Sequence, residues 1–293
     1  MMKLNPANPK PGIYEHVPRE VYDRLPAWNY STLKEGLPPK TLAHLKAVVN
    51  ARAKGVERPD TAAFLVGRAF EDYLYDRKAF DAKYVVAPEG FRSNATVKFK
   101  DFIESAAGRE ILTLDQREQI QAMYDGLCHN RDALKLLLGP GKRQVVMVGE
   151  IDGTLCKGCI DKLNDDGTLI DLKTARKEHD AAFWYAVRDY RYDMQMAIYS
   201  TLLEQEGLRV WVVQGKGFPY LVNTLIAPRD MLLAAQSELR MLLMRIRSAE
   251  QTGEWPGYGG LHTLEPPVNG SGGASGGEEE EESDEPQYAQ VEF

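Results

Sequence analysis

Asp161, Asp171 and Lys173 are the residues whose types and spacing could do chemistry together. They lie in Cys159-Ile-Asp-Lys-Leu-Asn-Asp-Asp-Gly-Thr-Leu-Ile-Asp-Leu-Lys-Thr174. This stretch reads as two short strands joined by a tight turn at residues 164–167, where Asn, Asp and Gly tolerate the positive φ of a hairpin. Side chains alternate faces along a strand. Ile170 and Leu172 therefore point one way, into apolar packing, and Leu169, Asp171 and Lys173 point the other. Two carboxylates and an ammonium at one sheet edge suit phosphodiester hydrolysis. Hard divalent cations take carboxylate, phosphate and water oxygens. They polarise a phosphoryl oxygen and acidify a water, and a neighbouring Lys can orient that water or offset charge in the transition state. By spacing alone, the same residues equally suit an exposed hairpin with a cross-strand ion pair.

Two further pairs stand four residues apart, which puts each on one helix face. Gly67 and Glu71 fall in an apolar-periodic helix over residues 61–76, with Asp60 as its cap. A helical Gly costs about 1 kcal/mol against Ala, so it suggests close approach to something; a tolerated Gly beside a solvated Glu is the plainer reading. Gln195 and Tyr199 fall in a long helix over residues 180–206. They could reach a phosphate or brace Lys173, or belong to an ordinary amphipathic helix. Glu150 is a further acid, most simply a bland one.

The elements that must position these residues change class along the chain. Residues 1–25 read as an extended N-terminal arm. Short helices follow, the first with Ser31 as its N-cap, the next over residues 41–54. Residues 84–86 suit a short strand and residues 97–107 a helix. Asp115 and Glu118 resemble a capping box, opening a helix to about residue 129 that is continued at 131–138. Gly139-Pro140-Gly141 is a break. Strands then fall at 144–150, 154–163, the Asp171 segment, 208–213 and 220–226. A closing helix runs from Pro228 to about 251. The chain divides into the arm, a domain over residues 26–255, and a Gly/Ser linker with an acidic tail over 256–293.

Composition bounds the partners. With 293 residues and 43% hydrophobic content the chain suits a globular protein. There is no apolar run long enough for a membrane span and no signal-like N-terminus, and three Cys fit a reducing compartment, so the expectation is a cytoplasmic protein. The net charge of −7 is misleading, because the last 25 residues hold eight acids and no Lys or Arg, leaving a body of +1. A near-neutral body does not exclude nucleic acid.

Together the motifs resemble the RecB-like branch of the PD-(D/E)XK nucleases. Gly67-Arg-Ala-Phe-Glu71, Cys156-Lys-Gly-Cys-Ile-Asp161, Ile170-Asp-Leu-Lys-Thr174, Tyr192-Asp-Met-Gln-Met-Ala-Ile-Tyr199 and Pro219-Tyr220 are similar to the phage exodeoxyribonuclease VIII (RecE-like) nuclease domain. The resemblance implies an α/β, restriction-endonuclease-like core: a central mixed β-sheet flanked by helices, with a helical N-terminal part. It implies Mg²⁺-dependent (alternatively Mn²⁺-dependent) 5′-to-3′ digestion of double-stranded DNA ends, leaving a 3′ strand for recombination by single-strand annealing. Asp161, Asp171 and the carbonyl of Leu172 would hold metal, Lys173 would serve the attacking water, and Gln195 and Tyr199 would support the site. Where the family usually has His, this chain has Glu71, a harder ligand for such a cation. The resemblance also implies a homo-oligomeric ring around DNA.

Two alternatives use the same residues. A Cas4-like or structure-specific nuclease would need four Cys for an iron–sulfur cluster, whereas Cys156 and Cys159 have only Cys128 as company and read as structural thiols. A nuclease-like binding module acting through its acidic tail would not need the full Asp161, Asp171 and Lys173 set. The tail itself ends in Tyr288, Val291 and Phe293 after the acids, similar to the tip by which bacterial single-stranded-DNA-binding protein recruits partners. It would dock a single-strand annealing protein, or serve only to solubilise or repel DNA.

Overall fold

The computed structural model describes residues 4–56, 60–91 and 99–261. The linker beyond residue 261, the acid run and Phe293 lie outside the described residues, as do the first residues of the helix expected at 97–107. In chain order the elements are β1 (Gly12–Tyr14), α1 (Arg19–Asp23), α2 (Tyr30–Leu33), α3 (Leu42–Ala53), α4 (Ala62–Tyr75), α5 (Arg77–Lys83), β2 (Tyr84–Val86) and α6 (Lys100–Ser105). They continue with β3 (Glu110–Leu112), α7 (Leu114–Cys128), α8 (Arg131–Leu138), β4 (Gly141–Ile151), β5 (Thr154–Asn164) and β6 (Leu169–Ala175). The last are α9 (Asp180–Tyr190), α10 (Tyr192–Leu203), β7 (Arg209–Gly215), β8 (Val222–Ile226) and α11 (Arg229–Thr252).

The expected α/β core is what the chain forms. Six strands in the order β1-β4-β5-β6-β7-β8 make one mixed sheet, in which only β6 and β7 run parallel. β2 and β3 pair separately. Helices cover both faces, which is why β6 and β7 are apolar on both sides. One face carries Leu169, Trp211 and Val213 against α9, α10 and α11. The other carries Ile170, Val210 and Val212 against α4, α7 and α8.

Several local expectations are corrected. The helix over 180–206 is two helices: Arg191 adopts φ 59°, ends α9 and starts α10. Its guanidinium holds that bend by binding Asp193 and, from α11, Glu238 at 3.1 Å. α2 is capped by Asn29, not Ser31, and α4 by Thr61, not Asp60, which binds Arg68 instead. The capping box of α7 is Thr113 with Gln116, two residues earlier than expected. Within residues 1–25, β1 pairs with the edge of β4, and Tyr14, Tyr22 and Leu25 bury against Val146 and Val148, so this stretch is built into the sheet edge. The Lys157 ammonium secures it by donating to the carbonyls of Tyr22 at 2.7 Å, Leu25 at 3.0 Å and Asp23 at 3.2 Å.

Candidate active site

The site forms where two paired strands part. β5 and β6 pair at Lys162 with Ile170 and Leu163 with Leu169, and the ladder stops there. On the other side of β5, Gln144 takes φ 48° and interrupts the pairing between Arg143–Lys162 and Val145–Ile160. The register is the same on both sides, so Gln144 stands opposite Asp161 with the pairing between them opened. The Leu172 amide, freed from any ladder partner on β5, donates instead to Asp161 Oδ2 at 2.9 Å. A strand residue directs its N–H and C=O to the same side, so the Leu172 carbonyl also faces this gap.

Asp171 and Lys173 share one face of β6, and their charges meet at 2.6 Å with the Asp171 side chain only 2% exposed. Burial by itself would lower the Lys173 ammonium, but Asp171 and Asp161 more than offset it and hold it charged above the ordinary lysine range. Its Nζ also sits 4.7 Å from the Tyr192 ring centroid. Burial, then Asp171 and Glu71, push the Asp161 carboxyl well above the usual carboxylate range. Three acids therefore crowd one gap with a single lysine between them.

Glu71 reaches the same neighbourhood from α4, on the opposite face. Burial raises its carboxyl, and the amide of Gln144 engages it. Gly67, one turn earlier, brings α4 against β6: a Cβ there would touch Thr174 Oγ1 at 3.4 Å. From the other face, the Gln195 amide donates to the Tyr199 hydroxyl at 3.0 Å, and Gln195 Oε1 is buried with no partner. Burial raises the Tyr199 phenol, with Asp171 and Asp161 adding to it. Gly158 makes room for that ring, since a Cβ would stand 2.7 Å from it.

The structure thus gathers Asp161, Asp171, Lys173, Leu172, Gln195, Tyr199 and Glu71 around one gap. Glu150 is left out of it: it is exposed on β4 and faces Leu155, well along β5 from Asp161. Cys156 packs into the α10-side core, whereas Cys159 faces the N-terminal cluster and donates weakly to Gln144, so the two thiols look to opposite faces. Burial pushes both to about 12, the range of inert thiols. Residues that the sequence reading passed over are Gln144, Arg143 and Tyr75. The Arg143 guanidinium lies 4.5 Å from the Tyr75 ring centroid, and the Tyr75 hydroxyl is buried without a partner. Tyr75 had a legible signal, being four residues after Glu71; the positive φ of Gln144 had none.

The donor set fits a hard divalent cation. Among the described residues no three acid, His or Cys side chains already encircle a point. Two carboxylates and a strand carbonyl with excess negative charge are nonetheless what Mg²⁺ uses, since it keeps several waters and takes substrate oxygens.

Comparison with known proteins agrees with this geometry. The family model "PDDEXK-like domain of unknown function (DUF3799)" matches residues 30–264. No curated protein matches the chain. Among solved structures, a protein from Eubacterium rectale, named provisionally as an exonuclease, aligns over 83% of this chain and 90% of its own. Its identity is 17% and the TM-score 0.57, a likeness of fold. A second, SSO0001, aligns at 17% identity over 65% of this chain and 88% of its own with a TM-score of 0.29, too low to carry weight.

Proposed function

The chain belongs to the family of PDDEXK-like domains, and from that premise we propose that it is a divalent-metal-dependent nuclease that digests duplex DNA from its ends. The finer reading is 5′-to-3′ digestion that leaves a 3′ strand for annealing. The observation that supports hydrolysis best is the parting of β5 and β6, with Asp161 on the freed Leu172 amide and the Asp171–Lys173 pair alongside.

In this reading Asp161, Asp171 and the Leu172 carbonyl hold the cation, Mg²⁺ or Mn²⁺. The chemistry that such an ion supplies when bound is polarisation of a phosphoryl oxygen and acidification of a water. Lys173 is held charged, so it donates: it orients the attacking water and offsets negative charge on the phosphoryl oxygens. The Gln195–Tyr199 pair fixes the wall behind it. Glu71, now held by Gln144, would be a further residue able to hold that cation, directly or through a water. The resemblance adds a ring-shaped homo-oligomer in the bacterial cytoplasm and a single-strand annealing partner.

The test is digestion of linear duplex labelled at either 5′ or 3′ ends, beside closed circular DNA, with Mg²⁺ or EDTA. Early loss of the 5′ label from linear DNA alone, only with Mg²⁺, is expected. Cutting of the circle would replace the exonuclease reading with an endonuclease one.

A further inference from the structure

A cleft of about 470 Å³ opens at the C-terminal ends of β6 and β7, lined by Ala62, Ala63, Gln119, Arg176 and Lys216 among others. It lies on the α4 and α7 side of the sheet, the side from which Glu71 approaches, whereas Asp171 and Lys173 alternate to the other. Arg176 follows Lys173 by three residues, just past the end of β6, and lines the cleft on the α4 side. α4 has Glu71 at the carboxylate gap, Gly67 against Thr174 and its first turn at the cleft. That first turn holds Ala62 and Ala63 and no acid. Thr61 caps the Phe64 amide there, and no carboxylate of the turn itself occupies the field that favours anions.

The turn between β7 and β8 forms one rim. It is rigidly framed: the Lys216 amide donates to the Ala175 carbonyl at 2.8 Å, and the Lys216 carbonyl accepts from Gln119 at 2.7 Å. The buried Gln214 amide donates to the carbonyls of Gly215 and Tyr220, each at 3.0 Å. On this braced turn Phe218 is 91% exposed. A single exposed ring means little by itself. Here it follows directly on Lys216 and Gly217, which line the cleft with Arg176 and the first turn of α4. Aromatic rings next to cationic grooves are how proteins hold single nucleic-acid strands, by stacking a base and pairing a phosphate.

We infer that this cleft binds one nucleic-acid strand, with a backbone phosphate held by Arg176, Lys216 and the first turn of α4, and a base stacked on Phe218. The inference rests on the reading of the substrate as DNA and adds the path of the strand beyond the cleavage centre. DNA and RNA share the chemistry of base and phosphate, so matched oligomers of each decide which the cleft takes.

The experiment measures binding of 2-aminopurine-containing DNA and RNA strands to the full chain in EDTA, where hydrolysis is off. Phe218→Ala should weaken strand binding at least about five-fold and abolish the fluorescence change, and Phe218→Trp should restore both. Arg176→Gln with Lys216→Gln should lower the salt slope by about 0.7, the increment for the one phosphate no longer neutralised. Unchanged affinity in Phe218→Ala together with an unchanged slope in the double variant would overturn the inference, even if the chain cuts DNA in Mg²⁺. Phe218-dependent strand binding in a chain that never cuts DNA would uphold the inference and sink the nuclease reading. Absence of any strand binding by the unmodified chain would overturn both.

Discussion

Asp161 and Glu71 differ in what they already hold, and that difference sets their expected weight. Asp161 accepts from a backbone amide and, among the described residues, from no side chain, so its second oxygen is open to an ion. Glu71 is engaged by Gln144. Asp161→Ala should therefore remove calorimetrically detectable Mg²⁺ binding, as should Asp171→Ala. Glu71→Gln should weaken it by about ten-fold or less, in the range of a water-bridged or supporting group. Loss of binding in Glu71→Gln as complete as in Asp161→Ala would make Glu71 a principal ligand.

At the scale of elements, the glycines explain why the motifs are spelled as they are. Gly158 lies under the Tyr199 ring, so the strand bearing Asp161 and the helix bearing Tyr199 can touch only without a Cβ. Gly158→Ala should displace that ring, cost about 1–3 kcal/mol by overpacking, and lower turnover, as denaturant melts and initial rates would report. Full stability and rate would mean that Tyr199 shifts freely. Lys157 gives a second prediction. It is 4% exposed, and burial lowers its ammonium to about 8 from the ordinary 10.5. Between those values the unfolded chain holds more protons, so stability from this group rises with pH. Lys157→Met removes the three bonds to the Tyr22, Asp23 and Leu25 carbonyls and should cost about 1–3 kcal/mol at neutral pH. The gap in melting temperature between unmodified and variant protein should then widen from about pH 8 to about pH 10. A narrowing gap would contradict the burial argument.

The hairpin of Asp161 and Asp171 was legible because period-two alternation and a Gly-containing turn are local signals. So was α4, from its apolar spacing. The break at Arg191 was not, because an arginine in the left-handed region has no residue-type signal; what holds it is a hydrogen bond to Glu238, distant in sequence. β1 escaped notice because three residues give no period, and its partner β4 lies far along the chain. The hydrogen bond that ties Glu71 to Gln144 joins residues far apart in sequence at an opened pair of β4 and β5, which only the folded strand reveals.

For the whole molecule, one edge of the sheet is β1, a strand of three residues, and so short an edge offers little to a strand adding there. No helix of the described residues is long and apolar enough to cross a membrane. The acidic tail is proposed to dock a single-strand annealing protein through Val291 and Phe293, the apolar residues after its acids. Deleting residues 291–293 should abolish pull-down of such a protein and leave the hydrolysis rate unchanged. Binding that persists without the tip would assign the tail to solubility or DNA repulsion.

The central claim is that Lys173 works beside Asp161 and Asp171 on a scissile phosphate. The most direct test is single-turnover digestion of linear duplex in Mg²⁺ by the unmodified chain and by Lys173→Ala. Lys173 pairs with Asp171 and sits near the Tyr192 ring, and its side chain fills no place in the apolar core. The variant should fold, bind most of its metal, and lose at least about a hundred-fold in rate, the scale expected for one group stabilising transition-state charge. A folded Lys173→Ala protein that digests DNA at the unmodified rate would contradict the account.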